Sequence, residues 1–211
     1  MAQLRQGIYG VYYGCPFGES HALTQEQMQL NAEYIYISLV SSGWTPEAVA
    51  GILGNMQHES SINPGRWQSD RVGNLNGGYS LVQWTPASNY IDWCTGDPSE
   101  MDNALARILY ELDNGLQYYK TPEYSLTFRE FTQSTDSPYT LACAFAWNYE
   151  RSYTVLYGTE TEKEALRQKR GGAANAWYEY LTGVKPPEPV TPEKKKKQLS
   201  LLLMWAAARR R

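Results

Sequence analysis

The segment from Gly51 to Pro86 constrains the fold more than any other part of the chain. At its start, apolar residues recur at spacings of three and four, which indicates one buried face of a helix: Val49, Ile52, Leu53 and Met56. Thr45 is a candidate N-cap, and Pro46 suits the first helical position. Because Asn-Pro-Gly at 63–65 is typical of a turn, the helix must end shortly before it.

Glu59 falls in the last turn of this predicted helix. The C-terminal end of a helix disfavours the ionised form of a nearby carboxyl group, and partial burial acts in the same direction. A glutamate that keeps its proton near neutral pH can serve as a general acid. Downstream, the run from Gly77 to Trp84 is typical of the turn and return strand of a small hairpin. Such a helix and a Gly-rich hairpin with a glutamine form the plan of the lysozyme-like glycosidases.

Four motifs extend this plan over most of the chain: NAEYIY…GW, GILGNMQHESSINPG, SLVQWTPASNY and NYERS. In this order they resemble the lysozyme domain of tail-tip cell-wall lysins from short-tailed bacteriophages of Gram-positive hosts, over roughly Leu23 to Leu181. The resemblance implies a muramidase that cleaves β-1,4 glycosidic bonds of peptidoglycan, with Glu59 as general acid. It also implies local digestion of the cell wall at the phage tail tip during genome entry.

Many short helices and one hairpin predict an α+β fold that is mostly helical. The resemblance implies that this fold is lysozyme-like, with the small β-hairpin beside the active-site cleft. Capping signals mark further helix starts: Thr24 with Gln27, and Asp97 and Ser137, each followed by proline. A last helical region over 160–181 could be interrupted at the Gly-Gly pair 171–172.

A second catalytic group is less clearly marked. Glycoside hydrolysis usually uses two carboxyl groups, and Asp70, in the loop before the predicted hairpin, is the nearest candidate after Glu59. A mechanism with a single acid stays open, assisted by a positioned water or by the acetamido group of the substrate. Gln83 matches the hairpin glutamine of lysozyme-like enzymes and is expected to line the cleft; the less favoured alternative is a strand residue that faces water.

Aromatic residues near these positions are candidates for contacts with sugar rings, although such side chains more often fill a core. Tyr79 and Trp84 flank the hairpin glutamine. Tyr149, in the NYER motif, resembles a tyrosine that lies near the catalytic glutamate of lytic transglycosylases, which predicts a hydrogen bond to the carboxyl group of the general acid. Glu150 and Arg151 are expected to form a structural ion pair.

Composition excludes several other functions. The net charge of −3 does not favour binding to nucleic acid. Three widely spaced cysteines and two histidines predict neither a disulfide framework nor a metal site, so no cofactor is expected, nor the zinc endopeptidase domain that relatives often carry. No secretory signal or spanning apolar run is visible. We therefore expect synthesis in the host cytoplasm and localisation in the virion, at the tail tip.

The sequence predicts four parts. Residues 1–22, rich in Gly and Tyr, form an arm without helix that packs on the domain or on a partner. Residues 23–183 form the lysozyme-like catalytic domain, 184–197 a Pro-rich and then basic linker, and 198–211 a short apolar and basic tail. The tail is too short to span a bilayer. It could make weak contact with a membrane surface or bind other phage tail proteins, for which the arm is a second candidate.

Two alternatives to a muramidase remain open at this point. A lytic transglycosylase would cleave the same glycan bond without water. From a different class, the domain could be a non-enzymatic glycan-binding or tail-plug protein. The sequence also leaves open whether the protein is a tail-associated lysin or a free endolysin.

Overall fold

A computed structural model describes residues 1–186 of the chain. Helices make up 53% of it, and a two-stranded antiparallel sheet accompanies them, which confirms the predicted mostly helical α+β class. The predicted tail and most of the predicted linker lie outside the described residues.

The described elements follow one another along the chain with short connections. The strands and longer helices are β1 (Gln3–Gly7), β2 (Gly10–Gly14), α1 (Gln25–Ser41), α2 (Pro46–Ser60), α4 (Met101–Asn114), α6 (Pro138–Phe145) and α8 (Glu160–Thr182). The shorter pieces are a 3-10 turn (Gln68–Asp70), α3 (Ser88–Ile91), α5 (Phe128–Thr132), a π-helical turn (Ala146–Glu150) and α7 (Tyr153–Tyr157).

Helix α2 lies at the centre of the domain and packs against both α6 and α8, which also pack against each other. Glycines make this close packing possible. A Cβ atom at Gly51 would lie 2.9 Å from the Cβ of Leu141 on α6, and one at Gly54 would lie 2.6 Å from the backbone oxygen of Arg170 on α8. The approach of α8 to α2 therefore depends on the missing side chain at Gly54.

Capping residues start most helices where the sequence predicts. Thr24 and Gln27 form a complete capping box, Thr45 caps α2 with Pro46 in its first turn, and Ser137 caps α6. Helix α8 runs without a break, so the possible interruption at its Gly-Gly pair does not occur. Gly171 instead lets α8 pass over the ring of Tyr139, which would lie 2.2 Å from an added Cβ.

The start of α4 differs from the prediction. The helix begins at Met101 rather than just after Asp97. The Oδ1 atom of Asp97 accepts hydrogen bonds from the backbone and hydroxyl groups of Ser99, and Oδ2 pairs with Arg5 at 2.7 Å. Because its oxygens are used by this turn and by the N-terminal hairpin, Asp97 does not cap α4.

The two-stranded sheet belongs to the predicted N-terminal arm, where Gln3 pairs with Gly14 and Gly7 with Gly10. The hairpin packs on α1. The side chain of Asn31 accepts from the backbone N–H of Tyr13 at 2.6 Å and donates to its carbonyl at 2.7 Å. Because this bond pattern mimics a neighbouring strand, the arm is held firmly on the helical part of the domain.

The segment from Gly77 to Trp84 contains no regular strand, so the predicted position of the hairpin is corrected. Single antiparallel pairs join Tyr79 to Trp84 and to Trp67, which closes a tight loop. Ser80 and Gln83 within this loop have φ angles of 72° and 52°. These left-handed conformations are incompatible with an extended strand.

Neither a membrane-spanning helix nor a metal-binding group of side chains occurs among the described residues. No helix among residues 1–186 combines the length and apolarity needed to cross a bilayer. Over the same range, no group of three or more His, Cys, Asp or Glu side chains is arranged to hold a metal ion.

Candidate active site

Glu59 lies in the last turn of α2, as predicted, and its side chain is 21% exposed. The helix ends at Ser60, and the next residue, Ser61, is left-handed with φ of 57°. The hydroxyl of the neighbouring Ser60 donates to the backbone oxygen of Leu81 at 2.9 Å. This contact joins the end of the helix to the loop that follows Tyr79, so Glu59 stands at the boundary between the helical core and the loop region.

Arg170 on α8 is the direct partner of Glu59. Its guanidinium group donates to Oε1 of Glu59 in an ion pair, and it also donates to the backbone oxygen of Asn55 at 2.7 Å. The Asn55 side chain in turn donates to the backbone oxygen of Ala142 at 3.0 Å. Arg170 therefore connects the last turns of α2 with α8, and its side chain is only 10% exposed.

Glu150 also belongs to this cluster. It ends the π-helical turn that follows α6, and the next residue, Arg151, is left-handed with φ of 48°. Burial raises the pKa of Glu150 well above its usual range, and the negative charges of Glu59 and Glu111 act in the same direction, against the opposing effect of Arg170. Its Oε1 atom is buried and receives no hydrogen bond from the described residues. Burial and the two neighbouring carboxyl groups thus favour the protonated form of Glu150.

The expected ion pair between Glu150 and Arg151 is absent from the described part of the chain, and that expectation is wrong. The guanidinium group of Arg151 instead lies over the ring of Tyr119, with its carbon 4.9 Å from the ring centre. The physical reason is the left-handed turn at Arg151, which sends consecutive side chains to different environments.

A third carboxyl group, that of Glu111 on α4, is fully buried next to this cluster. It accepts hydrogen bonds from the indole N–H of Trp84 at 2.9 Å, from Nε of Arg107 at 2.8 Å and from the hydroxyl of Tyr149. Burial raises the pKa of Glu111, and the bonds from Tyr149 and Arg107 oppose the shift. The predicted hydrogen bond from Tyr149 to Glu59 is therefore wrong, because the hydroxyl is used by Glu111.

The three aromatic residues assigned to sugar contacts are buried. Tyr79 packs against Trp67 with ring centres 4.5 Å apart, and Trp84 stacks on Tyr90 at 4.4 Å. Tyr149 stacks on a phenylalanine of α6 in the same way. Their rings build the floor of the loop region rather than an open surface, and their role in sugar binding stays a prediction.

Gln83 remains partly exposed at the same loop. Its amide group donates to the backbone oxygens of Ser80 at 2.8 Å and Arg66 at 3.1 Å, so it closes the loop from inside. Gly78 packs directly on this side chain, since a Cβ at Gly78 would lie 2.9 Å from the Cβ of Gln83. Gln83 is held rigidly, and its predicted place in the cleft stays a prediction.

Asp70 lies in the 3-10 turn, with its side chain 43% exposed. Its carboxylate pairs with Arg66, Nε to Oδ1 at 2.7 Å, and accepts from the hydroxyl of Ser20 at 2.6 Å. Within residues 1–186, no hydrogen bond joins Asp70 to Glu59. The structure thus groups Glu59 with Arg170 and Glu150, and it places Asp70 in a separate polar contact.

Comparison with known proteins agrees with this architecture. A family model described as phage tail lysozyme matches residues 30–181. The chain belongs to the phage tail lysozyme family. This family member is also 40% identical over 170 residues to morphogenesis protein 1 of Bacillus phage B103, across 79% of the chain and 43% of that protein. The chain therefore spans less than half the length of that curated relative.

Only weak signals in the sequence point to the buried partners of Glu59 and Glu150. Glu111 falls at the spacing of the apolar face of α4, three positions after Ile108, where a charged residue is unexpected. That conflict between pattern and charge is a usable signal for a buried functional or structural group. Arg170 stands in a polar stretch of α8 and carries no comparable signal, because its burial results from the approach of α2.

His58 precedes Glu59 but adds no positive charge to the candidate site. Burial lowers its pKa to about 4, and the positive charges of Arg170 and Lys169 act in the same direction. The imidazole is therefore neutral at physiological pH. The positive charges near Glu59 and His58 are then those of Arg170 and Lys169, of which Arg170 pairs directly with Glu59.

Proposed function

We propose that this protein is a peptidoglycan hydrolase of the muramidase type, with Glu59 as general acid. The observation that carries the proposal is the position of Glu59. It is the partly exposed carboxyl group at the end of the central helix of a phage tail lysozyme fold, beside a polar cluster built from α4, α8 and the π-helical turn. Muramidases act on β-1,4 bonds of glycan strands, a reaction that requires a positioned carboxylic acid.

In this mechanism the Glu59 carboxyl group donates its proton to the glycosidic oxygen as the bond from that oxygen to the anomeric carbon breaks. The positive charge that develops on the sugar ring is stabilised by negative charge nearby. A water molecule then adds to the anomeric carbon, and its released proton returns to Glu59. We propose that Asp70 orients and polarises that water molecule. The residues proposed to shape the sugar site are Gln83, Tyr79, Trp84 and Tyr149.

A lytic transglycosylase is the second candidate, and one observation favours it. Both oxygens of Asp70 are used, by Arg66 and Ser20, which makes this carboxylate a poor activator of water. In a transglycosylase a hydroxyl group of the substrate replaces water as the attacking group, so a second free carboxylate is not needed. The first step, proton donation by Glu59, is the same.

The biological setting follows from the family and from the relative. Membership of the phage tail lysozyme family and a relative named morphogenesis protein 1 support association with a phage tail. We propose that the protein acts in the virion at the tail tip, where it opens the cell wall for genome entry. Contacts with other tail proteins are assigned to the N-terminal hairpin or to residues 198–211, and no cofactor is required.

Digestion of purified peptidoglycan tests the proposal. Sacculi should lose turbidity and release reducing ends when the protein is added. Mass spectrometry of the fragments separates the two enzymes, because a transglycosylase product is lighter by one water molecule. A protein that binds sacculi but releases no fragments would be a glycan-binding or plug protein instead.

A further inference from the structure

Arg170 pairs with Glu59, and its positive charge also acts on the neighbouring carboxyl group of Glu150. Its terminal nitrogens contact Glu59 and the backbone of Asn55, while its Nε atom is buried without an acceptor in the described residues. Glu150 lacks the opposite kind of partner, because its Oε1 atom is buried without a hydrogen-bond donor in the described residues. Buried polar atoms in native proteins are nearly always hydrogen-bonded. An unsatisfied donor and an unsatisfied acceptor in one cluster therefore call for an explanation.

We propose that Glu150 is a positioning residue for Glu59. The two carboxyl groups share one proton: when Arg170 pairs with one of them, the proton is on the other. This inference rests on the proposed function. In the first arrangement Arg170 is paired with Glu59, as in the structure, and the proposal assigns the proton to Glu150. In the second arrangement Arg170 turns to Glu150, and Glu59 is free to carry the proton that it donates to the glycosidic oxygen.

The charges around Glu150 support the sharing of one proton between Glu150 and Glu59. Three elements bring charged groups to it: Glu59 from α2, Arg170 from α8 and Glu111 from α4. The charge of Glu111 is already matched by its own ion pair with Arg107 at 2.8 Å. The guanidinium group of Arg170 is then the positive charge available to both Glu59 and Glu150. Two carboxylates in a shared, partly buried site do not both ionise readily, because like charges disfavour the second ionisation.

The exchange between the two arrangements conserves both protons and charge. One proton moves from Glu150 to Glu59, while Arg170 moves from Glu59 to Glu150, so the net charge of the cluster is unchanged. During hydrolysis Glu59 gives this proton to the leaving oxygen, and the water that attacks the anomeric carbon returns one proton to it. No oxidant, metal ion or further reactant is needed.

The surroundings of Glu150 suit such a role. The residue ends a π-helical turn, a feature often found at functional sites, and is followed by the left-handed Arg151. The preceding residue, Tyr149, is fixed by its bond to Glu111 and by stacking on Phe145. The backbone that carries Glu150 is therefore rigid, and the mobile partner in the exchange is the Arg170 side chain.

The test compares the parent protein with Glu150→Gln over a range of pH, with purified peptidoglycan as substrate. Gln resembles the protonated form of Glu150 but cannot take Arg170 as an ion-pair partner. Arg170 then stays on Glu59, and we expect hydrolysis at pH 7 to fall at least about tenfold. We also expect the pH at which activity declines to move lower by about one unit or more, since a permanent positive partner favours ionised Glu59.

Glu179→Gln is the matched control, because it makes the same chemical substitution at an exposed residue of α8, away from the Glu59, Arg170 and Glu150 cluster. A Glu150→Gln protein with parental rate and parental pH profile would overturn the inference and leave the proposed function standing. A parent protein that releases no fragments would instead refute the proposed function.

Carboxyl-carbon NMR titration of the full chain gives a second readout that does not depend on activity or on the folding of Glu150→Gln. In Glu59→Gln, Arg170 has only Glu150 as a carboxylate partner, so Glu150 should lose its proton at lower pH than in the parent. If the titration of Glu150 is the same in both proteins, the two carboxyl groups do not share a proton and the proposal fails.

Discussion

The indole N–H of Trp84 donates to a carboxylate oxygen of Glu111 at 2.9 Å, and this bond joins the loop beside the candidate site to helix α4. Arg107 and Tyr149 bind the same carboxyl group from two other directions. Glu111 thus holds three parts of the chain together next to the cluster of Glu59 and Glu150, in a position where water cannot replace a lost partner.

Replacing Glu111 with alanine should lower stability sharply. The change leaves Arg107 without its counter-ion and leaves the donors of Trp84 and Tyr149 unpaired in the core. Breaking a buried ion pair by removing one partner costs about 3–5 kcal/mol. Urea denaturation should show this loss, whereas Glu179→Ala on the surface should change the free energy of unfolding by no more than about 0.5 kcal/mol.

Replacing Glu59 with glutamine should remove activity while the fold is kept. Gln preserves the shape of the side chain but has no proton to give to the glycosidic oxygen. Hydrolysis should drop by at least about two powers of ten, whereas circular dichroism and binding to sacculi should stay close to those of the parent. A variant that still clears cell walls at a near-parental rate would contradict both the site and the muramidase mechanism.

Replacing Asp70 with asparagine separates two mechanisms. If Asp70 activates the attacking water, the rate should fall by about two to four powers of ten. We expect a smaller effect, because Asp70 is already paired with Arg66 and bonded to Ser20. The release of reducing ends by Asp70→Asn and by the parent, at equal protein concentration, measures the difference. A loss within the larger range would assign the water-activating role to Asp70.

The stability of the protein should depend on pH through Glu150. Burial raises the pKa of Glu150 in the folded protein, so the folded state holds this proton more tightly than the unfolded chain. Its stabilising contribution is complete below the unfolded pKa of about 4.3 and is lost as pH rises through the folded pKa. Glu150→Gln removes this titration. Its Tm relative to the parent should therefore increase from pH 4 to pH 8, and an unchanged difference would contradict the assignment.

Removal of residues 192–211 should leave hydrolysis by the domain largely intact. The Pro-rich residues 184–191 separate the removed segment, which holds the basic part of the linker and the tail, from the predicted catalytic domain. The truncated protein should bind less well to virions or to anionic lipid vesicles, as measured by co-sedimentation. Unfolding or loss of hydrolysis on truncation would show that the tail is part of the domain.

Local signals in the sequence were sufficient for much of the fold. The capping boxes at Thr24 and Thr127 and the prolines after Thr45 and Ser137 act through residues only a few positions away, and these helices start as the local chemistry requires. The placement of Glu59 in the last turn of α2 follows from the same kind of signal, since the turn sequence Asn-Pro-Gly at 63–65 comes shortly after it in the chain.

The partners of the site residues could not be derived in this way. The bond from Tyr149 to Glu111 spans 38 positions, and the contact of Arg170 with Glu59 spans 111. Asp97 failed as a helix cap because Arg5, 92 positions earlier, occupies its carboxylate. Each of these outcomes depends on which helices approach each other, and that is decided by the core as a whole.

Gly54 shows how far such an effect can reach. Even a methyl group at this position would collide with the backbone of Arg170 and push α8 away from α2. The guanidinium group would then be carried out of reach of Glu59. In a saturation mutagenesis screen for wall clearance, position 54 should tolerate as few substitutions as Glu59 itself, although glycine has no side chain with which to take part in chemistry.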